Sequence, residues 1–220
     1  MSHPLKEKIY LIFAIGTDLG KTFFVENLLK NTKNSFAIKP IISGFDEGDL
    51  NSDSAKILQA LNLQITADNF NWISPWRFKE PVSPHFAGEI SGKEIDFSQV
   101  VDFCKKNIEK AKANDSYLFI ETAGGVMSPI NYEKTFLDLA SELKLPILLI
   151  GANYLGAISH ILTAFNALKN SNNIVEKIII NDELPNLQKQ QFDINKTIEN
   201  FTQTHSLSLN NFFKQIKKNV

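Results

Sequence analysis

Short apolar runs alternate along the chain with longer segments that have helical spacing. The runs are almost unbroken by polar residues, as is typical of strands that are buried on both faces of a parallel sheet. Strands are predicted at residues 10–15, 35–38, 116–121, 146–150 and 175–180. The pattern therefore predicts a sheet whose two faces are both covered.

Amphipathic segments separate these runs. Apolar residues at positions 24, 25, 28 and 29, for example, fall on one face of a helix. Helices are predicted at residues 21–30, 53–63, 97–112, 135–143 and 156–168, and over much of 187–218, whereas 71–84 reads as irregular. Strands alternating with helices imply an α/β fold with a mostly parallel central sheet and helices on both faces. We expect residues 1–220 to form one domain.

Composition narrows the classes of protein that fit this fold. The 220 residues carry 23 Lys and Arg against 24 Asp and Glu, a net charge of −1. This balance argues against a protein that coats nucleic acid. Cys104 is the only cysteine, so no intrachain disulfide is possible, and it is expected to be a small buried residue in a reducing compartment. Neither a signal peptide nor an apolar run of ~18 residues is found, so the cytoplasm is expected and a membrane is not.

Residues 9–24 contain the strongest candidate for chemistry. An apolar strand leads into a glycine-containing loop, and Gly20-Lys21-Thr22 opens a helix, which is the layout of a phosphate-binding loop. Unpaired N–H groups at a helix start suit a polyphosphate. Lys21 would reach its outer phosphates, and the Thr22 hydroxyl would hold Mg²⁺. The usual first glycine is replaced by Ile15, however, so a chance strand–turn–helix is the alternative.

Other polar residues lie where predicted strands end, and ligands bind at that edge of a parallel sheet. Glu121 would be a buried carboxylate that needs a cation or several donors. Together with Thr22 and Asp53 it offers hard oxygen ligands for Mg²⁺, although Asp53 alone could be a helix-start acid. Lys39 offers a second cation beside the phosphate loop, or a lysine that only extends off a strand end.

Five further candidates each have a functional and a structural interpretation. Ser43 would contact a ligand or belong to a simple turn, and Asn181 would read a base edge or form a turn with Asp182. Residues 155–159 begin a helix and offer a second, weaker anion site. His85 and His160 lack a partner at metal-ligand spacing and are expected to be structural.

The order of these motifs resembles the dethiobiotin synthetase family, the ATP-dependent ligases of biotin synthesis. The matching pieces are GTD…GKT (16–22), KPIISG (39–44), NSD (51–53), EPVSPH (80–85), ETAGGVMSPI (121–130), LPILLIGANYLGAISH (145–160) and IIIND (178–182). The resemblance implies a three-layer P-loop fold that works as a homodimer. It also implies the reaction of 7,8-diaminononanoate, CO₂ and ATP to give dethiobiotin, ADP and phosphate, with Mg²⁺ and through a carbamate and a carbamic–phosphoric anhydride.

The resemblance also assigns roles to residues. Lys39 and Lys21 would be catalytic, and Mg²⁺ would be held by Thr22, Asp53 and Glu121. The nucleotide would contact Asp18, Leu19, Gly20, Lys21, Thr22, Phe23, Asp53, Glu121, Thr122, Ala123, Gly124, Asn181 and Asp182. The substrate would contact Lys39 and Ser43 of one subunit, and Leu155, Gly156 and Ser159 of the partner subunit.

The chain departs from the family pattern in four places. The loop GTDLGKT lacks two residues of the usual GTDTxVGKT, Thr122 replaces a glycine, and Ser159 stands where asparagine is frequent. No Gly-x-Ile-Pro adenine loop follows Asn181. Two alternatives therefore stay open, namely a relative that binds nucleotide or substrate without turnover, and another P-loop ATPase or amidoligase.

Overall fold

A six-stranded parallel sheet forms the centre of the fold. It is seen in a computed structural model that describes residues 4–184 and 192–217. Its strand order is β2-β5-β1-β6-β7-β8, and all neighbouring pairs are parallel. These strands are β1 (Ile9–Ala14), β2 (Ser35–Ile38), β5 (Tyr117–Glu121), β6 (Ile147–Ala152), β7 (Val175–Asn181) and β8 (Ser206–Ser208), and a separate parallel pair is formed by β3 (Ile41–Ile42) and β4 (Trp76–Arg77).

Helices cover both faces of the sheet, so the predicted α/β class is confirmed. They are α1 (Lys21–Asn31), α2 (Asp53–Ala60), α3 (Ala67–Ile73), α4 (Pro84–Ile90), α5 (Phe97–Ala113), α6 (Phe136–Leu143), α7 (Ala157–Asn170), α8 (Asn195–Thr202) and α9 (Leu209–Lys217). All residues of β1 and β6 are buried, which explains why these strands show no polar alternation.

The sheet reverses its order beside β1. The chain passes from β1 to β2 on one side, returns to β5 between them, and then crosses to β6 on the other side. In register, Ile12 of β1 pairs with Glu121 of β5, and Ile38 of β2 pairs with Ile120. The carboxyl ends of three neighbouring strands therefore meet at one switch point, where open parallel sheets bind ligands.

The prediction that 71–84 is irregular was wrong in part. Helix α3 runs into this stretch, β4 lies within it, and α4 begins at Pro84. Proline is compatible with the first turn of a helix, because an N–H there has no partner within the helix. Two-residue strands such as β3 and β4 are too short to show a periodic pattern.

The C-terminal prediction was incomplete. Within residues 192–217, helices α8 and α9 are present as expected, but β8 adds a sixth strand between them. Its sequence, Ser-Leu-Ser, contains a single apolar residue and gives little strand signal. The first part of the predicted stretch, residues 187–191, and its last residue, 218, lie outside the described residues.

Cys104 is fully buried in α5, and burial raises the pKa of its thiol to about 12. It is a core residue, as predicted, and not a nucleophile. No helix in the described part of the chain combines the length and the apolar character that crossing a membrane requires.

Candidate active site

The loop of residues 16–22 joins β1 to α1 and makes a tight turn. Asp18 and Gly20 both adopt left-handed backbone conformations, with φ of 57° and 87°. Aspartate tolerates this region better than most residues, and glycine adopts it freely. The contracted loop therefore turns over only three residues between Gly16 and Gly20.

Helix α1 starts without a capping side chain. Gly20 is its N-cap, no side chain caps the backbone N–H groups of its first turn, and that turn contains no acidic residue. By contrast, α2 is capped by Ser52 and α6 by Thr135. An uncapped helix start keeps its N–H groups and partial positive charge available to an anion.

Lys21 lies buried across this loop. Its Nζ donates hydrogen bonds to the carbonyl oxygens of Gly16 (3.0 Å) and Gly124 (2.8 Å). The lysine thereby links the phosphate loop to the segment that follows β5. Burial, and next the positive charge of Lys39, lower the pKa of Lys21 to about 8.

Lys39 is the centre of a buried ionic network. Its Nζ donates to Glu121 Oε1 at 2.8 Å and to a carboxylate oxygen of Asp53. The Thr22 hydroxyl donates to the same Glu121 oxygen at 2.6 Å. Four residues that are far apart in the chain therefore converge at the switch point, from the ends of β2 and β5 and the starts of α1 and α2.

The charges in this network stabilise one another. Burial on its own would lower the pKa of Lys39, but the carboxylates of Glu121 and Asp53 outweigh it and raise that pKa. For Asp53, burial acts to raise the pKa, and the attraction of Lys39 lowers it below its usual range. Lys39 is therefore a cation and Asp53 an anion at neutral pH.

The same residues fit a magnesium ion. Glu121 is fully buried, and its Oε2 atom has no hydrogen-bond partner, so a cation ligand would satisfy it. The Thr22 hydroxyl and the Asp53 carboxylate supply further hard oxygens in reach of the same network. Among the described residues no group of three or more His, Cys, Asp or Glu forms a metal cage. Mg²⁺ suits such a sparse set, because it keeps water and phosphate ligands.

A cleft of about 540 Å³ opens above this network. Most of the residues that were predicted to bind ligand within one subunit line this cleft. They are Asp18, Gly20, Lys21, Thr22, Phe23, Lys39, Ser43, Asp53, Glu121, Ala123 and Gly124. The remaining lining residues were not among the predicted site residues, and they are Thr17, Ile42, Gly44, Lys56, Pro81 and Leu184. Most of them had a usable signal, since Thr17, Ile42, Gly44 and Pro81 lie inside the motifs at 16–22, 39–44 and 80–85, and Lys56 lies one turn after Asp53.

Four predicted nucleotide-binding residues do not line this cleft. Leu19 is buried in the core, and Asn181 donates a hydrogen bond to its carbonyl oxygen. The Thr122 hydroxyl donates to the carbonyl of Ile12 at 3.1 Å, so its side chain faces β1. Thr122 replaces a glycine of the family pattern, but its side chain therefore does not project into the cleft. Asp182 follows β7 and is also absent from the lining.

The predicted substrate residues at the start of α7 lie apart from this cleft. Leu155 is 89% exposed, and Gly156 and Ser159 are exposed as well. Gly156 caps α7 with φ of 96°, no side chain caps the helix, and its first turn has no acidic residue. The start of α7 therefore resembles that of α1, but it points to solvent within a single chain.

His85 and His160 have hydrogen-bonded neighbours. His85 Nδ1 lies 3.0 Å from the Ser83 hydroxyl, and His160 Nδ1 lies 2.7 Å from the Tyr154 hydroxyl. Neither lines the cleft, and their structural roles stay a prediction.

Comparison with solved structures shows the fold. A ParA family ATPase from Chlorobium tepidum superposes with a TM-score of 0.52 at 13% identity, over 96% of this chain and 95% of that chain. The cell division protein MinD from Aquifex aeolicus superposes with a TM-score of 0.51 at 14% identity, over 96% and 86%. At these identities the likeness extends to the fold alone.

Comparison of sequences shows the family. A family model described as an AAA domain matches residues 8–209. ATP-dependent dethiobiotin synthetases from Phenylobacterium zucineum, Legionella pneumophila strain Paris and Caulobacter vibrioides are 35%, 39% and 33% identical to this chain. These alignments cover 78%, 74% and 80% of this chain and 74%, 74% and 81% of the relatives. The chain belongs to the ATP-dependent dethiobiotin synthetase family.

Proposed function

We propose that this protein converts 7,8-diaminononanoate, CO₂ and ATP into dethiobiotin, ADP and phosphate. The observation that carries this proposal is the buried Lys39 ammonium, held between Glu121 and Asp53 beside Lys21 in one cleft. A binding scaffold has no need of this arrangement, because burying a charge network is costly. Phosphoryl transfer, in contrast, depends on positioned positive charge.

The proposed reaction assigns a role to each of several residues of the cleft. A substrate amine captures CO₂ as a carbamate, whose oxygen attacks the γ-phosphate and releases ADP. The second amine then attacks the anhydride carbon, closes the ring and releases phosphate. Lys39 stabilises the negative charge of the carbamate and the transferring phosphoryl group, and Lys21 holds the outer phosphates. Ser43, which also lines the cleft, contacts the substrate.

Thr22, Asp53 and Glu121 would hold Mg²⁺, which supplies neutralisation of phosphate charge when it is bound. This assignment is supported by the unpartnered Glu121 Oε2 atom and by the hard oxygens around it. We place the reaction in the cytoplasm, in keeping with the single buried cysteine. We also treat the chain as one domain, because one apolar cluster includes residues from Leu5 to Ile216.

A direct assay tests the proposed function. Purified protein is incubated with diaminononanoate, bicarbonate, Mg²⁺ and ATP, and dethiobiotin is measured by mass spectrometry. Matched reactions lack one component each, and CTP or GTP replaces ATP in others. Absence of dethiobiotin with all three nucleotides would contradict the proposal. It would favour a relative that only binds ligand.

The pKa of Lys21 predicts how ATP affinity depends on pH. Because that pKa lies at about 8 in the free protein, the ammonium loses its proton as the pH rises through 8. Binding of ATP phosphates needs the charged form, so binding above pH 8 must take up a proton. We expect the Kd of Mg-ATP to rise about tenfold between pH 7 and pH 9. Isothermal titration calorimetry in buffers of different ionisation enthalpy measures both the Kd and the proton uptake.

Lys21→Arg is the control for this titration. A guanidinium stays charged over the whole range, so its Kd should change less between pH 7 and pH 9 even if its affinity is weaker. Lys39 keeps its charge there because its pKa is raised. A wild-type Kd that stays constant up to pH 9 would exclude Lys21 as the titrating group.

We also propose that the active site is shared between two subunits of a homodimer. The start of α7 is uncapped and exposed, and its residues Leu155, Gly156 and Ser159 lie outside the chain's own cleft. The proposal is that this helix start binds the substrate carboxylate in the cleft of the partner subunit, through N–H groups that attract an anion.

Subunit mixing tests this arrangement. Lys39→Ala inactivates the cleft of the subunit that carries it. Ser159→Asp places a carboxylate at the start of α7, where it would repel the substrate carboxylate in the cleft of the partner subunit. Each variant alone should be nearly inactive. In an equal mixture that re-pairs at random, half of the dimers contain one subunit of each variant. Each of these dimers has one intact site out of two, so the mixture should recover about a quarter of wild-type activity. Product formation after mixing measures this recovery, and its absence would place the whole site within one chain.

A further inference from the structure

Asn181, at the end of β7, packs directly against the phosphate loop. Its side chain is 5% exposed, and its Nδ2 donates to the Leu19 carbonyl at 3.2 Å. Its Oδ1 accepts from the N–H of Glu183 at 3.2 Å, which fixes the orientation of the amide. A β-carbon built on Gly20 would lie 2.5 Å from Nδ2, so a larger residue at position 20 would displace the Asn181 amide as well as strain the positive φ.

This contact fixes one peptide of the loop. The Leu19 carbonyl points towards Asn181, and in a trans peptide the Gly20 N–H then points the opposite way. Gly20 lines the cleft and caps α1, so the orientation of this peptide sets the direction of the first free donors of the helix.

We propose that Asn181 is a positioning residue that holds the contracted phosphate loop in its anion-binding conformation. In this role it acts through Leu19 and Gly20, whether or not it also contacts the nucleotide base. The inference rests on the proposed function only in that the cleft binds the phosphates of a nucleotide.

Inorganic tripolyphosphate separates this role from base recognition, because it has phosphates and no base. Calorimetry compares the affinities of wild-type protein and Asn181→Ala for Mg-tripolyphosphate and for Mg-ATP. Loss of the positioning hydrogen bond should weaken the binding of both ligands, with each Kd raised by roughly 3- to 10-fold. If ATP binding weakens while tripolyphosphate binding is unchanged, Asn181 reads the base only and the inference is overturned.

Asn173→Ala is the matched control. Asn173 is also a buried asparagine, precedes the other end of β7, and donates to the Ser141 hydroxyl at 3.1 Å. Its replacement should lower thermal stability without changing the affinity for tripolyphosphate. An equal loss of affinity in both variants would show a general effect of destabilisation and would contradict a positioning role.

A double-mutant cycle gives a second measurement. Gly20→Ala clashes with Asn181 and strains the positive φ, whereas in the Asn181→Ala background only the strain remains. The loss of tripolyphosphate affinity caused by Gly20→Ala should therefore be smaller in that background. Strictly additive losses would mean that Asn181 does not act on the loop through Gly20, and would overturn the positioning role. Dethiobiotin synthesis by the wild-type protein is measured separately, so failure of this inference is distinguishable from failure of the proposed function.

Discussion

Lys39→Met should lower kcat for dethiobiotin synthesis by at least ~10³-fold, while the protein stays folded at assay temperature. Methionine keeps the apolar stem but removes the ammonium that lies between Glu121 and Asp53. In the proposed reaction, the negative charge that develops on the carbamate and the transferring phosphoryl group then loses one of the cations of the cleft. Steady-state kinetics with saturating ATP and substrate measure this loss.

Lys39→Met should also change the response to magnesium. Without the lysine, the buried Glu121 carboxylate loses its cation and faces the partly exposed Asp53 carboxylate. Removing one partner of a buried ion pair destabilises a protein by about 3–5 kcal/mol. Added Mg²⁺ should offset part of that loss, so its stabilising effect in thermal unfolding should exceed that in wild-type protein.

Lys177→Met controls for the loss of a buried lysine. Lys177 is 8% exposed, lies on β7 outside the cleft, and pairs with Glu176 at 3.7 Å. This variant should lose stability but keep its kcat. A Lys39→Met enzyme with near-normal kcat would remove Lys39 from the catalytic assignment, whatever its stability.

The strand-end rule predicted most of the cleft from sequence. Lys39 and Glu121 follow or end apolar runs, and the carboxyl ends of neighbouring parallel strands lie at one edge. That both residues lie in one network with Asp53 could be predicted only with the strand order. This order places β5 directly between β2 and β1. Alternation of strands and helices does not specify that order, because several topologies fit the same pattern.

Side-chain direction was the part that sequence could not supply. Thr122 faces Ile12 of β1, whereas Ala123 and Gly124 line the cleft. Which way each residue turns after the end of β5 depends on local backbone geometry and not on periodicity. Asn181 is a similar case, since its position at a strand end was predicted but its contact with the Leu19 carbonyl was not. The shortness of β3, β4 and β8 removed the periodic signal on which strand prediction depends.

Glu121→Gln should reduce kcat by roughly 10²- to 10³-fold and raise the Mg²⁺ concentration needed for half-maximal activity. The glutamine has nearly the same shape and can still accept hydrogen bonds from Thr22 and Lys39 through its oxygen. It cannot supply the negative charge that a divalent cation requires, and its amide group replaces the unpartnered Oε2 atom. Activity measured over a range of Mg²⁺ concentrations therefore separates loss of the metal ligand from loss of packing.

The double variant Lys39→Met/Glu121→Gln separates catalysis from stability. Each single change leaves a buried group without its charged partner, whereas the double change removes the Lys39–Glu121 ion pair as a unit. Urea unfolding should therefore show the double variant to be more stable than the sum of the two single losses predicts. Turnover should stay at least as low as in Lys39→Met, because in the proposed mechanism Lys39 acts on the reacting groups and Glu121 on the metal. A double variant that regained turnover along with stability would mean that this pair only maintains the fold, and that the catalytic cation lies elsewhere in the cleft.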